Sequence, residues 1–419
     1  MTEESPWFGQ PRGLTVLFLT NMWEQFSYYG MRALLVYYMT KQLLIGQQQS
    51  SYIYGAYTAC AYFTPIVGGV IADRFLGKRW AVIIGASIMA LGHFMMTFES
   101  LFYFALAAIA LGNGLFLPSL PSQVGDLYKR DDPRRPWAFN VYYVGINIGG
   151  FLAPLICGTL GEVYGWHYGF GAAGVGMVAG LTIYLWGQRY LPPEQPRATP
   201  EQKASREGFS RQTILLLLGI AIAVTVFRSA YEQVGNTVAL WADSGVDRAA
   251  GSFTIPMTWF QSLNPLFVMA MTPPLLAYWQ RRAQRDPHQA LVKRMALGAL
   301  IVGASYVLLA AVSALSDGHL ASWVWLVLFF AILTFGELFI LPTGLGLFAR
   351  LAPQHLGATT VAAWFLVIFT GSLSAGFVGA LWSRVAPAQF FILLAALAAT
   401  AAGLLLAISH RADRKPEMN

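Results

Sequence analysis

Hydrophobic positions along this chain come in long blocks, and the polar positions gather in short, charged interruptions between them. Twelve blocks approach the roughly 20 residues that cross a bilayer as a helix. They lie at 13–39, 50–72, 79–98, 101–124, 136–160, 167–189, 212–241, 253–279, 293–315, 321–348, 357–382 and 388–409. The longest interruption, 191–211, is rich in Pro, Glu, Gln and basic residues and divides the helices six and six. The pattern predicts an all-α membrane protein, with an N-terminal six-helix bundle at 1–190, a linker at 191–211 and a C-terminal six-helix bundle at 212–419.

Composition points the same way. Hydrophobic residues make up 56% of the 419 positions and charged residues 11%, too few to cover the surface of a soluble protein of this length. The first eleven residues are polar and the first apolar run is full length, so no cleavable signal is expected. The net charge of +7 would suggest nucleic acid if it were clustered on one face, but it is spread through alternate loops. With a cytoplasmic N-terminus, the cytoplasmic segments hold Arg12, Arg74, Lys78, Arg79, Lys129, Arg130, Arg134, Arg135 and the bases of the linker. The later ones hold Arg281, Arg282, Arg285, Lys293, Arg294, Arg350, Arg411, Arg414 and Lys415. Only Lys41, Arg248 and Arg384 fall on the other side, and Arg32 and Arg228 lie within helices. The positive-inside rule then predicts both termini in the cytoplasm, and the basic excess reads as topology, with no nucleic-acid partner. Cys60 and Cys157 sit in apolar runs and imply no disulfide framework.

Polar residues inside the helices change the picture. In the first helix Asn21, Glu24, Gln25, Tyr28, Tyr29 and Arg32 share one face, while Trp23, Phe26 and Met31 point elsewhere. A charge at the bilayer centre costs about 2.5–3.5 kcal/mol on insertion scales, so this face is expected to line an interior cavity. A buried network that merely fixes helix packing is the alternative. The two halves also echo each other. Gly112-Asn113-Gly114-Leu115-Phe116-Leu117-Pro118 in the fourth helix matches Gly336-Glu337-Leu338-Phe339-Ile340-Leu341-Pro342 in the tenth, and Glu24 with Arg32 is answered by Arg228 with Glu232 in the seventh. Two six-helix halves with polar groups facing the middle suggest an alternating-access carrier of the major facilitator class. The loop after the second helix, with Gly68, Gly69, Asp73, Arg74 and Gly77, looks like the loop motif of that class. There a carboxylate at the cytoplasmic rim can meet a facing helix N-terminus, and Gly77 turns the chain. A solvated charged turn is the bland reading.

Seven marks in order carry the resemblance further. They are Glu24-x-Phe26-Ser27-Tyr28-Tyr29-Gly30-Met31-Arg32, the Ala72-Asp73-Arg74-Phe75-Leu76-Gly77 signature, and Phe139-x-x-Tyr142-Tyr143-x-x-Ile146-Asn147-Ile148-Gly149-Gly150-Phe151. Later come Tyr231-Glu232-Gln233, Trp259 to Pro265 through Asn264, Gly336-Glu337 with Pro342 and Gly344, and Trp364. The chain resembles the proton-dependent oligopeptide transporter family from the first helix to the eleventh. That resemblance implies a cavity that clamps short peptides. Asn147, Asn264 and Glu337 would meet the amino end, with Glu232 alongside, and Arg32 the carboxylate, while Tyr28, Tyr29, Tyr62 and Trp364 would shape side-chain pockets. Fixed charges of both signs within aromatic walls suit a zwitterion.

The chain also departs from the family. The helix-1 motif of two glutamates and an arginine is Asn21, Glu24 and Gln25 here, the helix-4 lysine is Leu117, and the linker has no room for the extra helices of bacterial members. The positions tied to coupling and gating are thus Asn21, Glu24, Gln25, Leu117 and Arg228. One acid and one base are missing together in helix 1, a near-neutral exchange, because a broken buried pair is what costs most. Arg228 stands where the family usually has tryptophan, one turn before Glu232. It either replaces the missing helix-4 cation, or it snorkels or simply pairs with Glu232. An excess of one acid remains, and a proton or a solute amine can neutralise it.

The expected function is transport of di- or tripeptides, or of a peptide-like zwitterion, driven by protons as the resemblance implies. The rival is a facilitator, exchanger or exporter of a non-peptide solute, such as a modified amino acid or metal chelator, without that coupling. A sensor that binds without moving solute has no evident output surface in such short loops. No enzyme, cofactor or metal is expected, since there is no nucleophile elbow or phosphate loop and His93 and His167 have no ligand-spaced partner. The expected setting is a monomer in the bacterial inner membrane, in contact with lipid.

Overall fold

The computed structural model describes residues 9–129, 132–194, 211–285, 291–316, 318–351 and 357–412. The core of the predicted linker and the last basic residues, Arg414 and Lys415, lie outside these. Fourteen described α-helices make up the twelve spans, because two spans are broken. The first six spans begin with α1 (Arg12–Tyr37), α2 (Gln47–Ile71), α3 (Lys78–Met95), α4 (Phe102–Asp126), α5 (Arg135–Ala153) and α6 (Trp166–Gly187). The next six are built on α7 (Arg211–Tyr231) with α8 (Thr237–Ser244), α9 (Leu263–Arg285), α10 (Leu291–Leu315), α11 (Val324–Glu337) with α12 (Leu341–Leu351), α13 (Gly357–Gly379) and α14 (Pro387–Ala412).

Burial is inverted relative to a soluble protein. Leu111 and Leu218 are 61% and 54% exposed, while Glu24, Arg228 and Glu232 are all but sealed. Apolar side chains outward and charges inward are what a hydrocarbon solvent selects. Nine described helical stretches are long and apolar enough to cross a membrane on composition alone. The remaining spans, on α1, α3 and α9, are diluted by the polar face of α1, by Lys78 and Arg79 at the start of α3, and by the basic end of α9.

One predicted start shifts. The run at 253–279 enters its α-helix at Leu263, because Ala249–Ala250 and Phe253–Thr254 form a small antiparallel pair around Gly251. Pro256 then precedes the 3₁₀ turn Met257–Ser262. A ladder already uses the backbone groups that a helix would need.

The chain groups by contact into two compact units, Met1–Leu43 with Cys60–Pro200 and Leu44–Ala59 with Glu201–Asn419. In the first, α1 packs on α5 and α6, and α3 on α4. In the second, α10 packs on α14 and α11, and α7 on α13. The sequence repeat has a packing basis. A Cβ on Gly112 would lie 2.6 Å from the Gly85 carbonyl oxygen of α3, and one on Gly336 would lie 2.7 Å from the Gly298 carbonyl oxygen of α10. Each unit therefore closes one helix pair on a glycine-to-backbone contact that no larger residue allows.

The breaks differ between the halves. α4 runs unbroken through Pro118 and Pro121. The matching span stops at Glu337, turns through Phe339 N to Gly336 O and Ile340 N to Glu337 O, and resumes at Leu341. Pro342 lacks an N–H, and its ring opposes a continuous helix one turn back. In the seventh span Glu232–Gly235 tightens to 3₁₀. There the Gln233 amide donates to the carbonyls of Ser229 at 3.0 Å and Ala375 at 2.8 Å, which anchors the break to α13. Both breaks fall beside an acid.

Candidate functional site

In the first unit, the polar face of α1 is buried at Asn21, Glu24, Gln25 and Tyr28 and half-buried at Tyr29 and Arg32. The three- and four-residue spacings set these side chains one above another. Glu24 accepts a 2.7 Å hydrogen bond from Gln25 Nε2. Asn21 Nδ2 donates to the Tyr142 carbonyl of α5 at 3.2 Å, and the Tyr142 phenol lies within electrostatic reach of Glu24. The amide gives the carboxyl a donor without a compensating charge. Tyr28 and Tyr29 meet edge to face at 5.5 Å. Asn147 is buried on α5 and donates one turn back to the Tyr143 carbonyl at 2.9 Å. Tyr62 on α2 and Leu117 on α4 are half-buried. Leu117 brings neither charge nor donor to its position.

The loop motif runs directly into the N-terminus of α3. Gly77 has φ +81°, a conformation that favours glycine. Asp73 and Arg74 are exposed, and the carboxylate at the α3 N-terminus belongs to Glu194. Arg79 N donates to Glu194 Oε1 at 3.3 Å, and a Cβ on Gly77 would sit 2.6 Å from the same carboxylate. Arg79 Nη2 also donates to the carbonyls of Leu191 and Pro192, while Lys78 pairs with Asp126 at 2.6 Å. Two cations in the first turn of α3 oppose the helix dipole, and Asp126 and Glu194 offset them. Glu194 stands in a Pro-rich stretch that reads as linker, so nothing local marked it.

The second unit gathers its predicted residues more tightly. Arg228 on α7 is ion-paired with Glu232 one turn along, and its Nη2 also donates to Ser372 Oγ on α13 at 3.3 Å. Asn264 Nδ2 on α9 donates to Glu337 Oε2 at 2.6 Å and lies 3.0 Å from Thr334 Oγ1. Tyr231 donates to Glu337 as well, and Arg228 and Glu232 lie within electrostatic reach of it. Glu232, Asn264 and Glu337 therefore belong to one network with Arg228 and Tyr231. Trp364 stands apart from it, buried edge-on against Phe348 at 5.1 Å and close over Gly344. Arg228 had two readings in the sequence, and the structure contains the Glu232 pair. Ser372, which meets the guanidinium, and Gly371, which makes room for the arginine stem, were not singled out, because two small residues in an apolar helix give no periodic signal. No group of three or more metal-ligating side chains occurs among the described residues.

Comparison with known proteins gives concordant results. A model described as the POT family matches residues 79–210 and 203–393. The chain is 32% identical over 465 residues to an uncharacterized transporter, YclF, of Bacillus subtilis strain 168, covering 96% of this chain and 94% of that one. It is 33% identical over 439 residues to a di-/tripeptide transporter of Lactococcus lactis subsp. cremoris, covering 87% and 88%. Among solved structures, a POT family transporter in complex with 5-aminolevulinic acid superposes with a TM-score of 0.89 at 27% identity, covering 97% of this chain and 98% of that one.

Proposed function

Because the chain belongs to the POT family, with the twelve-helix fold of major facilitator transporters, we propose that it carries di- and tripeptides or closely peptide-like zwitterions across the bacterial inner membrane by alternating access. The observation that carries the reading is the Asn264–Glu337 pair, a carboxylate presented by an amide in the broken tenth span. An acid held by neutral donors is suited to a solute ammonium. Arg32, on the polar face of α1, takes the carboxylate end, Asn147 adds an amide for the amino end, and Tyr28, Tyr29, Tyr62 and Trp364 shape the room for side chains.

Coupling follows from which acid has a cation. Glu232 has Arg228, and Glu337 is reserved for the amine. Glu24 is left as the proton carrier, since its described hydrogen bond comes from an amide and burial without a counter-charge favours neutralisation. The carrier acts as a monomer, with both termini in the cytoplasm. The second reading, a non-peptide amino-acid-like solute without proton coupling, is favoured by Leu117 and Gln25, which remove two cations. It also suits the similar POT transporter solved with 5-aminolevulinic acid, a solute with an amine and a carboxylate but no peptide bond.

The test is uptake of labelled dialanine into proteoliposomes with and without an inward proton gradient. Accumulation only with the gradient is expected. Equilibration regardless of the gradient would indicate a facilitator or exchanger, and no flux from folded protein would favour the non-peptide solute.

A further inference from the structure

Gly371 and Ser372 stand side by side on α13 and together make the place that Arg228 occupies. A Cβ on residue 371 would press on Arg228 Cβ and lie 3.1 Å from its Cγ, so the arginine stem fills the room that a side chain there would need. Ser372 is fully buried and accepts from the guanidinium, which on the same nitrogen serves Glu232. The Tyr231 ring centroid is 5.7 Å from the guanidinium carbon. Among the described residues of the unit's other elements, Tyr306 of α10 and Glu337 of α11 face the pair. Tyr306 is itself held, donating to the Ala230 carbonyl at 2.7 Å. Among the described residues this cluster therefore holds two acids and one cation, and the cation is bonded to Glu232.

A carboxylate in an apolar interior is matched by a cation or by a proton. We propose that Arg228 is a standing counter-ion for Glu232, seated by Gly371 and Ser372, and that it withdraws Glu232 from the proton cycle and leaves Glu337 as the charge a solute amine must meet. Arg228 is a positioning residue in this scheme, because it acts on solute and proton through Glu232 and Glu337. The inference rests on the carrier reading above, and its test separates the two.

The experiment is dialanine counterflow in proteoliposomes at equal pH on both sides, scanned from acidic to neutral, with thermal unfolding of the same variants in detergent over the same range. For Arg228→Gln, counterflow at neutral pH falls about tenfold or more, because one member of a buried pair is left uncompensated, and it recovers on acidification as a proton takes the place of the guanidinium. Arg228→Lys keeps the wild-type profile. The double variant R228Q/E232Q, which removes both charges, is more active than R228Q at neutral pH and regains the wild-type slope. Gly371→Ala touches no charge and shifts the profile in the same direction as R228Q by crowding the arginine. An R228Q profile parallel to wild type, or a double variant no better than R228Q, overturns the proposal. If wild-type protein moves no dialanine at any pH, the peptide reading fails, and the stability profiles still decide the pair. R228Q unfolding that improves with acid while the double variant stays flat supports it, and identical slopes refute it.

Discussion

Glu24 and Glu232 are both 1% exposed, yet one is met by an amide and the other by a guanidinium. The first unit sets Asn21 and Gln25 beside Glu24, and the second seats a cation beside Glu232 in a notch of small residues on α13. Removing both members of a buried pair is close to neutral, whereas removing one is costly. In the first unit the described partner of Glu24 is an amide, so no such pair is at stake there. The second could not lose Arg228 alone while Glu232 stayed. The difference teaches that the acids of this carrier should be ranked by their compensation, since burial alone does not separate them.

The comparison breaks most sharply at Arg228. Arg228→Gln should lower stability by about 3–5 kcal/mol at neutral pH, read as a drop in detergent unfolding temperature, because Glu232 then stays buried without its cation. A loss within the noise would mean that another group compensates Glu232.

Next in size is the packing repeat. Gly112→Val and Gly336→Val should each cost about 1–3 kcal/mol, since a branched side chain would be driven into the Gly85 or Gly298 carbonyl. Similar losses for the two would support equivalent roles in the two units. A loss at one alone would make the other glycine incidental.

Much of this was legible in the sequence. Twelve apolar blocks, the glycine-to-proline repeat and the polar face of α1 all follow from length and periodicity, and those local signals survive folding. The start of α9 was misplaced because the pairing of Ala249–Ala250 with Phe253–Thr254 competes with an apolar run that reads equally well as helix. The break after Glu337 has a local cause in Pro342, although Pro118 at the matching position leaves α4 unbroken. The seat for Arg228 was not legible, since it depends on a contact between elements far apart in the chain. The same holds for Glu194, whose role at the α3 N-terminus depends on a fold-back that composition does not show.

Glu24→Gln offers a sharper view of the other side of the comparison. An amide can replace the carboxyl opposite Gln25 while keeping a hydrogen bond, so stability should change by no more than about 1 kcal/mol. Counterflow of dialanine should persist while gradient-driven accumulation disappears. Retained accumulation would remove Glu24 from the coupling role.

The smallest effect is expected where a salt bridge is wet. Lys78 and Asp126 are 2.6 Å apart, but each side chain is 31% exposed, so water and salt share their charges. Asp126→Asn should cost only about 0–1 kcal/mol. Its effect should fade further in molar salt, where the screening length is about 3 Å. The Arg228–Glu232 pair is sealed from solvent ions, and the penalty of Arg228→Gln should be the same at low and high salt. Unfolding temperatures of the two variants across a salt series therefore test the distinction directly. A salt-sensitive R228Q penalty would show that ions reach the pair, and Glu232 could then be neutralised from solution without its arginine.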